Sequence, residues 1–312
     1  MTPASSVLLL TTLTGFGYGL LAWLGLFALV RALPASPWFM PVAVMIALAC
    51  ASGGLLASTL HLGRPERAWR AFSQWRSSWL SREGVAAMLT YPPALAFAGL
   101  WFALGPHAVA TRLVGLSAAL MGMVTVYCTA MIYASLKPIR QWHNAHTAPD
   151  YLIFAGFSGA MLLAALLGLW TGHATAVGVI ALIAAIAAGL AKLAYWRFID
   201  AQAPLTTLAS ATGLAAFGTV RPLDQPHFTE NYILREMGYQ IARKHAAKLR
   251  RIILVLAFVA PGALVLLAAL GIAPMVSAPL GVVLAGLGLF MERWLFFAEA
   301  THVSTIYYGR MV

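Results

Sequence analysis

Charge is what this sequence has least of. Only 9% of its 312 residues are Asp, Glu, Lys or Arg, against 61% hydrophobic, where soluble domains carry roughly 25% charged residues. A soluble fold with this composition would leave too much apolar surface in water, and disorder is excluded on the same ground. Acids are scarcer still, 9 against 20 Lys plus Arg, for a net charge of +11. Cysteine is nearly absent. Cys50 and Cys128 lie inside apolar runs with no CxxC, which excludes a disulfide scaffold and reads as two packed thiols. An iron–sulfur cluster held by this chain alone is excluded too, because it takes about four thiolates. There is no P-loop, G-x-G-x-x-G, nucleophile elbow or metal-ligand spacing. No basic face with stacking aromatics can be assembled, so nucleic acid is excluded as a partner despite the positive charge.

What is present is a series of long apolar runs. A helix needs about 20 apolar residues to cross the hydrocarbon. Eight stretches qualify, near 7–31, 39–61, 83–104, 110–135, 149–170, 174–196, 252–271 and 276–303. The first is too long for a signal peptide's apolar region and lacks a basic start, so it reads as a retained helix. The period-2 alternation of barrel strands is missing, which leaves helices to satisfy the backbone in lipid. The expected fold is an all-α integral membrane protein, a single eight-helix domain over 1–312. Pro92, Pro93 and Pro261 fall inside spans and should bend them. No internal repeat is visible.

The connections alternate in character. Those after spans 1, 3, 5 and 7 are short. The one after span 2 carries Arg64, Arg67, Arg70, Arg76 and Arg82, and the one after span 4 carries Lys137 and Arg140. The loop at 197–251 carries eight bases. Fifteen of the 20 Lys and Arg thus lie on one side, against Arg31 and Arg112 on the other. Bases collect on the cytoplasmic side of bacterial membrane proteins. Both termini and the three basic loops are therefore expected in the cytoplasm, with the chain in the inner membrane. Within the long loop, residues 231–252 read as an amphipathic helix, with Ile233, Met237, Ile241 and Leu249 on one face. Such a helix suits lipid headgroups and a docked soluble subunit equally.

Ionisable residues in or beside spans are costly and mark candidate sites. His61 closes span 2, stopped by Gly63 and Pro65. A neutral imidazole there can hydrogen-bond a quinone carbonyl and exchange a proton near neutral pH, although a histidine reaching the interface from a helix end explains the position as well. Glu83 opens span 3, with Ser81 expected as its N-cap. An acid in a first turn is favoured by the helix dipole, and it can equally act as a proton-exchanging carboxylate. Arg64 and Arg67 could steer a docked subunit or offset negative charge on a reduced ligand, and Trp79 and Tyr133 could wall a pocket. The last span holds Glu292, Arg293, Glu299 and His302, which either pair internally or line a cavity. Bis-histidine haem needs two facing imidazoles inside the bundle. Only His61 and His302 approach it, both at the same end, so no haem is expected.

The stretch STLHLGRPERAWRAFSQWRSSWLSREG resembles the segment joining the second and third helices of the DmsC-like family, the membrane-anchor subunits of dimethyl sulfoxide reductase and related enzymes. His61, Leu62 and Gly63 match its LHLG, Arg67 and Ala68 its basic–small pair, and Ser81 and Glu83 the acidic start of its third helix. MIYASLKPIRQWHNAHT is similar through Tyr133, Trp142 and Thr147, as is the last span through Arg293 and His302. The resemblance covers essentially the whole chain and is weakest over 197–251. It implies eight helices around a quinone site, no haem, a docked iron–sulfur subunit and a catalytic subunit with a molybdenum cofactor.

Two features depart from the dimethyl sulfoxide reductase pattern. The LHLG loop carries five arginines and should face the cytoplasm, whereas exported reductases place it outside. The long basic loop resembles anchors of cytoplasmic sulfite dehydrogenases. Both favour electrons entering from a sulfite-oxidising unit and leaving as quinol. The alternatives are a quinol-oxidising anchor of an S-oxide or N-oxide reductase, or, in other classes, a small-solute transporter or a purely structural anchor.

Overall fold

The computed structural model describes residues 3–59, 63–221, 223–224 and 244–308. His61 lies outside these residues, as does 231–243 of the expected amphipathic helix. Among the described residues eight helices are long and apolar enough to span a membrane. They are α1 (Ser5–Leu29), α2 (Phe39–Thr59), α3 (Trp79–Leu104), α4 (Val109–Ala134), α5 (Thr147–Thr171), α6 (Thr175–Asp200), α7 (Ala246–Ala269) and α8 (Pro274–Ala298). Their outward surfaces are apolar as well, with Leu, Ile and Val exposed along every helix. That composition fits a bilayer as solvent rather than water.

The helices form two groups of four. In the first, α1 packs on α2 and α4, and α3 on α4 and α2; in the second, α5 packs on α6 and α8, and α7 on both of those. α1 and α5 join the groups, and their crossing depends on glycine. A Cβ at Gly19 would overlap the Ala155 carbonyl, and one at Gly159 would overlap the Gly19 backbone. Close backbone approach of this kind is how helices gain packing energy in lipid, where water supplies no driving force between them.

Proline leaves the spans continuous. Pro92 and Pro93 sit within α3. Pro261 follows a π-helical turn over Leu254–Val259. Its ring cannot donate to the preceding turn, and the wider turn absorbs the mismatch. α5 ends at Gly172, whose φ of 72° is left-handed and whose N–H reaches the Gly168 carbonyl at 3.1 Å. Cys50 and Cys128 are free thiols.

Two boundaries differ from the sequence expectation in ways that matter. α3 starts at Trp79, capped by Ser78, whose hydroxyl accepts from the Ser81 N–H at 3.5 Å. Ser81 is thus not the cap, and Glu83 sits in the second turn. The Ser81 hydroxyl instead donates to the Ala71 carbonyl and ties the 3₁₀ helix Pro65–Phe72 to α3. α8 ends at Ala298, so Glu299 is its C-cap and His302 lies beyond it, in a β-bridge with Ile139.

Candidate functional site

Successive spans alternate in direction, so the ends of α2, α4, α6 and α8 and the starts of α1, α3, α5 and α7 share one face, here called the arginine-rich face. Nearly all the buried ionisable residues lie in a layer beneath it. At 1.5 Å rise per residue, their depths from the helix ends are about 5 to 12 Å.

Glu83 on α3 is 5% exposed, and the Thr129 hydroxyl of α4 donates to its Oε1 at 2.6 Å. Deeper on α3, Thr90 and Thr125 join their hydroxyls at 3.2 Å. One turn toward the face, Trp79 stands edge-on to Tyr127 at 5.9 Å, and the Arg82 guanidinium covers Trp79 at 4.3 Å. Arg82 is held there by the Trp75 and Arg76 carbonyls, at 3.0 and 2.6 Å. Residues four apart share a helix side, so Tyr133 follows Thr129 along α4. Tyr133 packs edge-on to Trp142 at 5.4 Å and Phe297 at 5.1 Å, and stacks on Tyr151 at 5.9 Å. Trp142 donates to the Phe296 carbonyl at 3.1 Å, and Thr147 donates to the Trp142 carbonyl at 2.7 Å. The resemblance through Tyr133, Trp142 and Thr147 therefore has a structural reason: together they fix the α4–α5 loop against α8.

Of the predicted site residues, Glu83 and Trp79 fall along the α3–α4 contact, while Tyr133 packs toward α5 and α8. Arg64 and Arg67 do not converge with them. Both are exposed on the outer loop, and Arg67 lies 4.0 Å from Glu66 with both side chains half exposed or more. A pair so open to water holds little energy.

The larger electrostatic feature was missed by the sequence reading. Lys192 of α6 and Arg293 of α8 both reach Glu292, each at 2.5 Å, and all three are buried. The Lys192 ammonium also lies 3.9 Å from the Tyr195 ring centre, and the Arg293 guanidinium 4.2 Å from that of Tyr151. Asp150 of α5, 5% exposed, feels the charges of Lys192, Glu292 and Arg293. The pairing expected in the last span is therefore present, but with a lysine from another helix. A single lysine inside the run GLAKLAYW was the available signal. Glu299 pairs elsewhere: Arg250 of α7 bridges it at 3.0 Å to Asp200, which it grips through both oxygens at 2.6 and 3.0 Å. Burial holds the Glu299 carboxyl above the ordinary glutamate range, against the pull of Arg250. Among the described residues no group of His, Cys, Asp and Glu could hold a metal ion.

Residues 2–299 match the family described as DMSO reductase anchor subunit (DmsC). The chain belongs to that family. It is 35% identical to the C subunit of the sulfite dehydrogenase of Allochromatium vinosum, over 99% of both chains. It is 30% identical to the anaerobic dimethyl sulfoxide reductase chain YnfH of Escherichia coli K12, over 43% of this chain and 48% of that one. It is thus a multi-pass membrane anchor of a molybdoenzyme complex.

Proposed function

We propose that this anchor reacts with quinone and passes electrons from a sulfite-oxidising unit on its arginine-rich face to the membrane pool. The observation that carries this reading is Glu83: a buried carboxyl, held by Thr129, just beneath the face where the basic loops gather. The end-to-end likeness to a sulfite dehydrogenase subunit supports the choice of donor.

Reducing a quinone takes two electrons and two protons. The electrons come from iron–sulfur clusters on one partner subunit, and the molybdenum cofactor of another performs the substrate chemistry. This chain's part is the proton side and the binding. His61, at the exit of α2, donates a hydrogen bond to one quinone oxygen, and Glu83 delivers a proton and recovers it from the same side. Trp79 and Tyr133 wall the ring, and Arg64 and Arg67 meet the docked subunit. A site this close to the docking face keeps electron transfer short. A buried carboxyl held by Thr129, with Trp79 one turn away on the same helix, supports a quinone as the ligand.

The concentration of bases supports a reading in which the arginine-rich face and both termini lie on the cytoplasmic side of a bacterial inner membrane, with segment 231–252 supporting the docked subunit. An exported phosphatase fused after Val312 should be inactive, and an active fusion would reverse the orientation.

The match to a dimethyl sulfoxide reductase chain favours a second reading, in which quinol is oxidised and an S-oxide reduced. The complex purified from its own membranes decides. It should contain the soluble subunits and reduce a water-soluble quinone analogue with sulfite. His61→Ala should lower that rate at least tenfold, about 1.4 kcal/mol of barrier, while sulfite oxidation with an artificial soluble acceptor persists. Quinol-driven S-oxide reduction without sulfite activity would establish the second reading, and equal quinone activity in mutant and wild type would remove His61 from the site.

A further inference from the structure

A narrow cleft lies between α1, α4, α5 and α8, lined by Thr11, Thr12, Thr14, Thr129, Tyr151 and Arg293 among others. Three threonines within four positions on one apolar helix invite an explanation. Thr11 and Thr14 turn their hydroxyls back on their own helix, to Val7 at 3.0 Å and Leu10 at 2.6 Å. Thr12 does not: its hydroxyl is buried and has no hydrogen-bond partner. The Tyr151 hydroxyl is buried too, beside the Arg293 guanidinium but without a well-aligned bond to it. Buried hydroxyls are nearly always satisfied, by protein or by ordered water.

The size of the cleft decides what satisfies these. It has room for about one water molecule, far too little for an aromatic ring, and a buried water typically needs two to four polar partners. Thr12, Thr129, Tyr151 and Arg293 are such partners. On one side of the cleft Thr129 donates to Glu83 at 2.6 Å. On the other stands the charge cluster. Glu292 is held there by two cations at 2.5 Å and stays ionised. Asp150, next to Tyr151 in the chain, makes no ion pair among the described residues.

We propose that the cleft holds water and forms an internal proton branch, in which this water, held by Thr12, Tyr151 and Arg293, feeds Thr129 and Glu83. This rests on the quinone reaction proposed above. Each quinone accepts two electrons from the docked iron–sulfur carrier. When Glu83 gives a proton to a quinone oxygen, its carboxylate takes one from the Thr129 hydroxyl. In the same concerted step Thr129 takes one from the cleft water, and the water recovers its proton from the arginine-rich face. Arg293 and Thr12 orient the water and act as positioning residues. The charged groups facing the branch are Glu83 from α3, Asp150 from α5, Lys192 from α6 and Glu292 and Arg293 from α8.

The test uses the assembled complex with sulfite and a soluble quinone analogue, in H2O and in D2O. Thr12→Val and, separately, Tyr151→Phe should lower quinone reduction at least threefold and raise the solvent isotope effect above wild type, with KM for the quinone unchanged. Thr12→Ser should restore both. Wild-type rate and isotope effect in both variants would overturn the branch while leaving the quinone site intact, provided Glu83→Gln still lowers quinone reduction at least tenfold. A loss expressed only as a raised KM would place the quinone itself in the cleft and also overturn it. A wild-type complex that does not react with quinone would remove both proposals.

Discussion

Beneath the arginine-rich face, the spans carry Glu83, Asp150, Lys192, Glu292 and Arg293, all buried. At the opposite end the same helices meet through small and aromatic residues. Gly25 of α1 lies against Gly115 of α4, Gly168 of α5 against Pro274 of α8, and Phe39 stands edge-on to Trp170 at 5.5 Å. The polar contact recorded there is of another kind, Trp101 donating to the Ser36 carbonyl at 3.0 Å across the α1–α2 turn. Among the described residues no ion pair holds that end, although the Arg112 Nε is buried there. Placing a charge out of water costs several kcal/mol per ion even after relaxation. Stability alone therefore gives no reason for five such groups at one end. Their confinement to the end that receives the basic loops is what the proposed proton chemistry would explain.

The largest expected effect comes from breaking the charged end. Glu292→Gln leaves Lys192 and Arg293 buried against a neutral amide. It should cost about 3–5 kcal/mol, seen as a lower unfolding temperature of the detergent-purified complex or loss of assembled protein. A variant as stable as wild type would mean that water reaches these cations and that the cluster is not a sealed one.

A smaller effect is expected at the apolar end. Gly25→Val drives a side chain into the Gly115 backbone and should cost about 1–3 kcal/mol through overpacking. The protein that does assemble should keep its full quinone rate. A quinone rate that fell with stability would show that the two ends are coupled and would weaken the contrast.

The eight spans were legible because a helix that is apolar all round has one physical reading, and hydropathy placed most of their ends within four residues, although α7 starts at Ala246 rather than near 252 and α8 ends at Ala298 rather than near 303. The site was legible only where local sequence carries chemistry. Glu83 stands out as a carboxyl at the edge of an apolar run, yet its partner Thr129 is 46 positions away. Nothing local announces that distance. Ser81 was misassigned as the cap because Ser78 and Ser81 satisfy the same rule, and only the contact with Ala71 separates them. Glu299 and His302 were placed inside the last span because their flanks are apolar. Arg250 pairs with Glu299, the residue that caps α8, across 49 positions. Lys192 and Asp150 went unnoticed for the same reason, since their meaning lies in contacts between helices.

The central claim is that the charged end performs the quinone chemistry, and Glu83 tests it most directly. Glu83→Gln keeps the size and the bond to Thr129 but cannot exchange a proton. In the assembled complex, sulfite-dependent reduction of a soluble quinone analogue should fall at least tenfold, about 1.4 kcal/mol of barrier. Unfolding temperature and sulfite oxidation with an artificial acceptor should stay at wild-type values. A variant that reduces quinone at the wild-type rate would contradict the account.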